Sequence, residues 1–209
     1  MMRILSVFCL MVLASGGLLS CRPAASNTKN AETLDRLNKA LKCETLTSHE
    51  YAKFAEKAEA EGILQIAKLF RASSKARAIH RNSLKTLIKK MGANPEEVTV
   101  EELSVGTTLE NLGTALRGET YKFSVLYPEF IAHAIENENG KEAVELWSYI
   151  TDVSSHHMNL YTDAMVHLME PNAPETTFFV CLFCGDTLTE LPEKCPVCHR
   201  DKEEFAKTD

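Results

Sequence analysis

Several things are missing from this 209-residue sequence, and each absence removes a class of function. It has no G-x-x-x-x-G-K-[ST] loop, no G-x-G-x-x-G and no G-x-S-x-G, so nucleotide binding and esterase chemistry start without a motif. It has no excess of positive charge. The formal net charge is -6, which argues against nucleic acid as a partner. It lacks a long apolar run. The N-terminal stretch, about 16 residues of modest apolarity, is too short for a comfortable bilayer span. Proline is scarce, seven in all, and Pro95, Pro171, Pro174 and Pro196 fall where a break or a stiffened loop is expected.

What is present suffices for one helical domain of ordinary size and a small module. Apolar residues make up 44% of the chain, enough for a packed core. The strongest chemical signal lies near the C-terminus: Cys181-Leu-Phe-Cys184-Gly185, then Cys195-Pro196-Val197-Cys198. Two C-x-x-C hooks so close together can surround one ion tetrahedrally, as zinc or iron prefers. Gly185 follows the first hook where a tight turn favours φ > 0. Pro196 stiffens the second. Backbone N–H groups of such hooks point toward the sulfurs and hold the metal. The alternative is two disulfides. Cys43 reads as a small buried residue in a helix.

At the other end, Met1–Ser20 reads as an export signal, with Arg3 as the positive region and Ile4–Leu13 as the apolar run. Leu18-Leu19-Ser20-Cys21 is similar to a bacterial lipoprotein signal, in which the cysteine becomes the lipidated first residue. On that reading Cys21 carries the lipid and the protein is extracytoplasmic and membrane-anchored. An ordinary signal or an uncleaved anchor is the alternative. Residues 21–32 follow as a polar tether.

Apolar residues then recur at helical spacing through residues 33–170. Leu34, Leu37, Leu41, Tyr51, Phe54 and Ala58 mark a first helix, broken at Gly62. Ile63, Ile66, Phe70, Leu84 and Ile88 mark a second, stopped at Met91-Gly92. Ala93–Gly106 is a long connection. Thr107 and Glu110 have capping-box spacing. The third helix runs to about Asn139, with a kink expected at Pro128. The fourth runs from Gly140 to Glu170. Tyr51, Phe54, Gly62 and His80 are echoed by Tyr127, Phe130, Gly140 and His157, with Phe-to-His intervals that match within one residue. Two helical hairpins joined by a long crossover give a ferritin-like four-helix bundle. Residues 171–177 form a stiff linker into the cysteine module, 178–209.

A four-helix bundle followed by paired cysteine hooks resembles the rubrerythrin family. The runs Tyr51-Ala-Lys-Phe-Ala-Glu-Lys-Ala58, Thr108-Leu-Glu-Asn-Leu112, Gly118-Glu119 and Tyr127-Pro-Glu-Phe130 carry the likeness. The resemblance implies a di-iron site in the bundle, a rubredoxin-like iron site at the end, and reduction of hydrogen peroxide by electrons relayed between them. It also implies a homodimer in which the knuckle of one chain approaches the bundle of another.

Residue by residue, the implied bundle site is incomplete. The family uses a Glu from helix one, Glu-x-x-His from helix two, two Glu three apart on helix three, and Glu-x-x-His from helix four. Glu44, His80, Glu119 and His157 match, and Tyr51 and Tyr127 match the flanking tyrosines. Arg77, Lys122 and Ser154 stand where the other three carboxylates belong. Spacing of three puts 77 with 80, 119 with 122, and 154 with 157 on one face each. Cations roughly 4–6 Å from a metal in a low-dielectric core would repel it by several kcal/mol. Arg77 and Lys122 are therefore expected to neutralise Glu44 and Glu119 in a metal-free ion-pair network. If both cations pointed away, the four surviving ligands could hold one zinc, manganese or iron ion. Asp152 is a substitute carboxylate one turn-fraction out of register, and His156 must face away from His157.

The knuckle also departs from the family. Ten residues separate its hooks, fewer than usual, and His199 follows the second where a small residue is common. Phe178, Phe179, Phe183 and Phe205 are expected to form its small core. Three functions are consistent with these residues. One is an exported electron-transfer protein with a single iron held by the four cysteines. Another is a zinc-filled scaffold or binding module. The third is a peroxidase with an altered bundle site. The resemblance implies a redox partner protein without naming it.

Overall fold

The computed structural model describes residues 25–136, 140–168 and 175–208, except for the side chains of 25–29. The export signal, Cys21 and the linker residues 171–174 lie outside the described residues. Four long helical runs form the bundle. Helix α1 spans Ala25–Ala60 and α2 spans Leu64–Lys90. Gly62 joins them at φ 76, a left-handed conformation that glycine adopts without Cβ strain. Gly92 closes α2 in the same region, at φ 82.

The third run is composite: α3 (Thr108–Tyr121), a π turn (Lys122–Leu126) and α4 (Tyr127–Glu136). It starts at a full capping box. The Thr107 hydroxyl accepts from the Glu110 amide at 3.4 Å, and the Glu110 carboxylate accepts from the Thr107 amide at 2.8 Å. The irregularity expected at Pro128 takes the form of the π turn. Pro128 has no N–H for an i−4 partner, and the amide of Tyr127 reaches back five residues to the Lys122 carbonyl. Helix α5 spans Lys141–His167.

The tether needs correction. Helix α1 begins at Ala25, inside residues 21–32, because a helix already nucleated over the bundle residues propagates through Ser26, Asn27 and Thr28 at modest cost, with no proline after Pro23 to stop it.

The bundle core has two apolar clusters. Tyr51, Phe54, Phe70, Leu112 and Tyr161 fill one end; Leu37, Leu84, Phe130, Trp147 and Ile150 fill the other. All are nearly or fully buried, each worth roughly 1.5–3 kcal/mol of transfer free energy. Between them along α1 and α2 sit Glu44, Arg77 and His80, also buried.

The C-terminal module is a three-stranded antiparallel sheet of β1 (Phe178–Cys181), β2 (Thr187–Leu188) and β3 (Phe205–Thr208), in the order β2-β1-β3. Pairing of Val180 with Thr187 and of Cys181 with Phe205 fixes the first hook against both neighbours. The module packs on the bundle of its own chain, chiefly on α2 and α5.

The expected phenylalanine core of the module is not what forms. Phe178 and Val180 are buried in the bundle cluster with Tyr51 and Phe70. Phe179 is half-buried. Phe183 is 39% exposed, with the Arg200 guanidinium stacked 3.7 Å from its ring centre. The module's own interior is Cys181, Cys184, Cys195 and Val197 closed by Val153 of α5, with Phe205 at its margin. So small a sheet cannot enclose four aromatic rings, and it lends its apolar face to the helices.

Candidate metal centre and the filled bundle core

The hooks build the first site. β1 delivers Cys181 and the turn at Gly185, φ 81, brings Cys184 back beside it. The second hook repeats this geometry with His199 at φ 60, a non-glycine residue in the left-handed region. The Gly185 and His199 amides donate to the Cys181 and Cys195 carbonyls, each at 2.9 Å. The amides of Phe183 and Cys184 serve the Cys181 sulfur, and those of Val197 and Cys198 serve Cys195.

The sulfurs of Cys181 and Cys198 lie 3.7 Å apart and those of Cys184 and Cys195 3.5 Å apart. A tetrahedron with metal–sulfur bonds of about 2.3 Å has edges of about 3.8 Å, so the four donors fit one zinc or iron ion. All four cysteines are free, which removes the disulfide alternative. Among the described residues they are the one group of three or more His, Cys, Asp or Glu donors gathered closely enough to hold a metal. Cys198 is half-buried and the other three are buried, so this centre has one edge toward solvent.

The second site lies between the helices. Each sequence-predicted residue faces inward: Glu44, Arg77, Glu119, Ser154 and His157 are fully buried, His80 is 1% exposed and Lys122 3%. The Arg77 guanidinium occupies the middle. One nitrogen donates to Glu44 at 3.2 Å. The other donates to Glu119, to Ser154 Oγ at 3.3 Å and to His157 Nδ1 at 3.0 Å. Tyr127 donates to Glu44 and Tyr51 to Glu119. Lys122 Nζ lies 3.6 Å from Glu119 and 5.9 Å above the centre of the Tyr51 ring. Two carboxylates thus meet two cations and two phenols.

The electrostatics follow from this packing. Burial alone would raise the Glu44 carboxyl, but Arg77 above all, with His80, holds it down at about 2. Burial acts on Glu119 the same way and is outweighed by Arg77 and then Lys122, leaving it well below the usual carboxylate range. Burial, helped by Arg77, lowers the His157 imidazole to about 4. Since Arg77 can only donate, His157 Nδ1 accepts, and the ring hydrogen sits on Nε2, which donates to Thr187 Oγ1 at 3.0 Å.

These residues do not fit a di-iron centre. The guanidinium stands between the two carboxylates, and Nδ1 of His157 is already bonded to it. A single ion at Glu44, His80, Glu119 and His157 required Arg77 and Lys122 to point away, and both point in. Asp152 is exposed and takes no part.

The two sites touch. His80 Nε2 lies 2.7 Å from the carbonyl of Cys184, a metal-centre residue, while its Nδ1 lies 2.9 Å from Glu44. His156 does face away from His157, and it meets the buried Asp186 carboxylate at 2.6 Å. Asp186 and Thr187, which receive His156 and His157, escaped the sequence reading. Their position just after Gly185 was the only local signal.

A helical bundle carrying a four-cysteine knuckle defines a class of metalloprotein, and comparison with known proteins places the chain within it. Residues 35–165 match the rubrerythrin family model and residues 179–206 that of the rubrerythrin rubredoxin-like domain. The chain belongs to the rubrerythrin family. It is 34% identical to nigerythrin of Nitratidesulfovibrio vulgaris over 183 residues, covering 87% of this chain and 89% of that one. It is 28% identical to rubrerythrin-2 of Clostridium acetobutylicum over 181 residues, covering 86% and 98%. Among solved structures it is similar to a mixed-valence state of nigerythrin, with TM-score 0.77, 32% identity and coverage of 84% and 86%. A bacterioferritin of Desulfovibrio desulfuricans, 17% identical with TM-score 0.63 and coverage of 70% and 85%, shares the fold.

Proposed function

We propose that this protein is an exported, lipid-anchored member of the rubrerythrin family that transfers single electrons through one iron held by the four cysteines, with a metal-free ion-pair network in place of the di-iron site. The observation that carries this reading is the Arg77 guanidinium bonded to both Glu44 and Glu119 in the bundle core. A buried cation there repels metal ions and already satisfies the carboxylates that would bind them.

An iron held by the four thiolates supplies one reversible electron. The chain's own residues do the rest. The hooks fix the four sulfurs, and their backbone amides lower the basicity of the thiolates. Val153 and Val197 exclude water from one side. The Cys198 edge leaves a face open to a redox partner protein. His80 ties the Cys184 backbone to the bundle, so the centre keeps a fixed position. Export and lipidation rest on Arg3, the Ile4–Leu13 run and the Leu18–Cys21 signal, with Cys21 as the anchor. Among the described residues no helix is long and apolar enough to cross a membrane.

The test is reductive bleaching of protein purified without oxygen. The expected result is a visible thiolate-to-iron band that bleaches with one electron per chain and is not restored faster by hydrogen peroxide than by a one-electron oxidant. A colourless, zinc-filled protein would favour the scaffold reading. Sustained peroxide turnover would favour a working bundle site.

A further inference from the structure

Asp186 is the second residue after Cys184, and its side chain is fully buried. One carboxylate oxygen meets Nδ1 of His156 at 2.6 Å. The other lies 3.7 Å from the Cys195 sulfur. The Asp186 carbonyl accepts from the Cys181 amide at 2.8 Å, so the residue is locked within the first hook. Cys195 would hold a metal ion as its thiolate, having given up the proton that its thiol now directs at Asp186. The carboxylate then faces a thiolate, with no donor between them. Four thiolates outweigh the charge of a divalent or trivalent ion, so the loaded centre would be net negative, and a buried carboxylate against it is unfavourable unless a further cation is at hand. Among the described residues the cation-capable side chain bonded to Asp186 is His156, and it comes from α5 of the bundle rather than from the knuckle. Its hydrogen bond to Asp186 favours the charged form of the ring, against the opposing effect of partial burial. The exposed Asp152 adds to the same preference.

We propose that Asp186 and His156 form a charge pair that tunes the four-cysteine centre: Asp186 is a buried negative charge in contact with it, and His156 is the positioning residue that offsets that charge from the bundle. The inference rests on the reading of the four cysteines as an iron site. It goes further in making the bundle an electrostatic partner of the centre rather than only its support. A negative charge beside the centre favours its oxidised state, so removing the charge raises the midpoint potential and stripping away the compensating imidazole lowers it.

The experiment is a double-mutant cycle on the full chain reconstituted with iron: wild type, Asp186→Asn, His156→Gln and the pair. An intact thiolate-to-iron band in each variant shows that the centre still assembles. The midpoint is expected to move positive in Asp186→Asn and negative in His156→Gln, and the double variant is expected to track Asp186→Asn. The proposal is overturned if Asp186→Asn leaves the midpoint at the wild-type value, or if His156→Gln shifts it equally with and without Asp186. If the protein takes zinc and refuses iron, the electron-transfer reading fails on its own. The pair is then read from the rate of zinc transfer to a chelator. That rate should rise in His156→Gln and fall back in the double variant. Equal rates in all four proteins would overturn the pair.

Discussion

Arg77 donates a guanidinium hydrogen to Nδ1 of His157 at 3.0 Å. A cation thus occupies the nitrogen that faces the centre of the bundle, and the electrostatics of the site follow from that contact. Arg77→Ala would leave Glu44 and Glu119 buried without the cation that bridges them. Loss of one partner from such a network typically costs about 3–5 kcal/mol. Chemical denaturation should show a loss of unfolding free energy of that size, as a lower midpoint with an unchanged slope. Arg77→Lys should fall between, because an ammonium cannot reach both carboxylates with a planar fork.

The replaced positions also make a prediction of gain. Arg77→Glu, Lys122→Glu and Ser154→Glu together restore the ligand pattern implied by the rubrerythrin resemblance. Without metal this variant should be much less stable than wild type, because its inward carboxylates repel one another. Ferrous iron should then stabilise it in proportion to the logarithm of its concentration. Thermal melts with and without ferrous iron would show this, and wild type should show no such bundle-dependent gain.

Acid sensitivity should appear in two successive windows that overlap near pH 4. His157 titrates at about 4 when folded and near 6.5 when unfolded. The unfolded chain therefore binds the proton first as pH falls, and stability drops between 6.5 and 4, by about 3 kcal/mol if the full shift is expressed. Glu44 is held at about 2 against an ordinary value of 4.5. Its contribution is complete above 4.5 and is lost as pH falls from there toward 2. His157→Gln should flatten the upper window and leave the lower one. An unchanged slope between pH 6.5 and 4 in that variant would contradict the assigned neutral imidazole.

Gly185 and Gly62 provide a matched comparison. Both adopt positive φ, at 81 and 76. A Cβ at Gly62 would meet nothing within 4 Å, so Gly62→Ala should cost only the backbone term, about 1–2 kcal/mol. At Gly185 the Cβ would lie 2.6 Å from His80 Nε2 and 3.1 Å from the Ala76 carbonyl. Gly185→Ala should therefore push the knuckle off the bundle. Amide hydrogen exchange in Cys181–Thr187 and on the α2 face near Ala76 should speed up in that variant and not in Gly62→Ala.

The first two helices were legible because Leu34, Leu37 and Leu41, then Tyr51, Phe54 and Ala58, then Ile63, Ile66 and Phe70 recur at spacings of three and four, with Gly62 and Gly92 as punctuation. Arg77, Lys122 and Ser154 were legible as inward residues because spacing of three from His80, Glu119 and His157 fixes the face they share. Pro128 announced an irregularity but not its form, since a kink and a π turn answer the same missing amide. The docking of the knuckle was not legible. His80 meets Cys184 across 104 positions of sequence, and no local pattern encodes such a contact. For the same reason Phe178 looked like part of the knuckle core, and Asp186 looked like an ordinary loop residue.

Counting iron tests the central claim most directly. In protein purified without oxygen and exposed to excess ferrous iron before desalting, the account predicts one iron per chain, with the spectrum of a tetrathiolate site alone. Three irons per chain, with the signature of a bridged pair, would mean that Arg77 gives way to metal, and the account would be wrong.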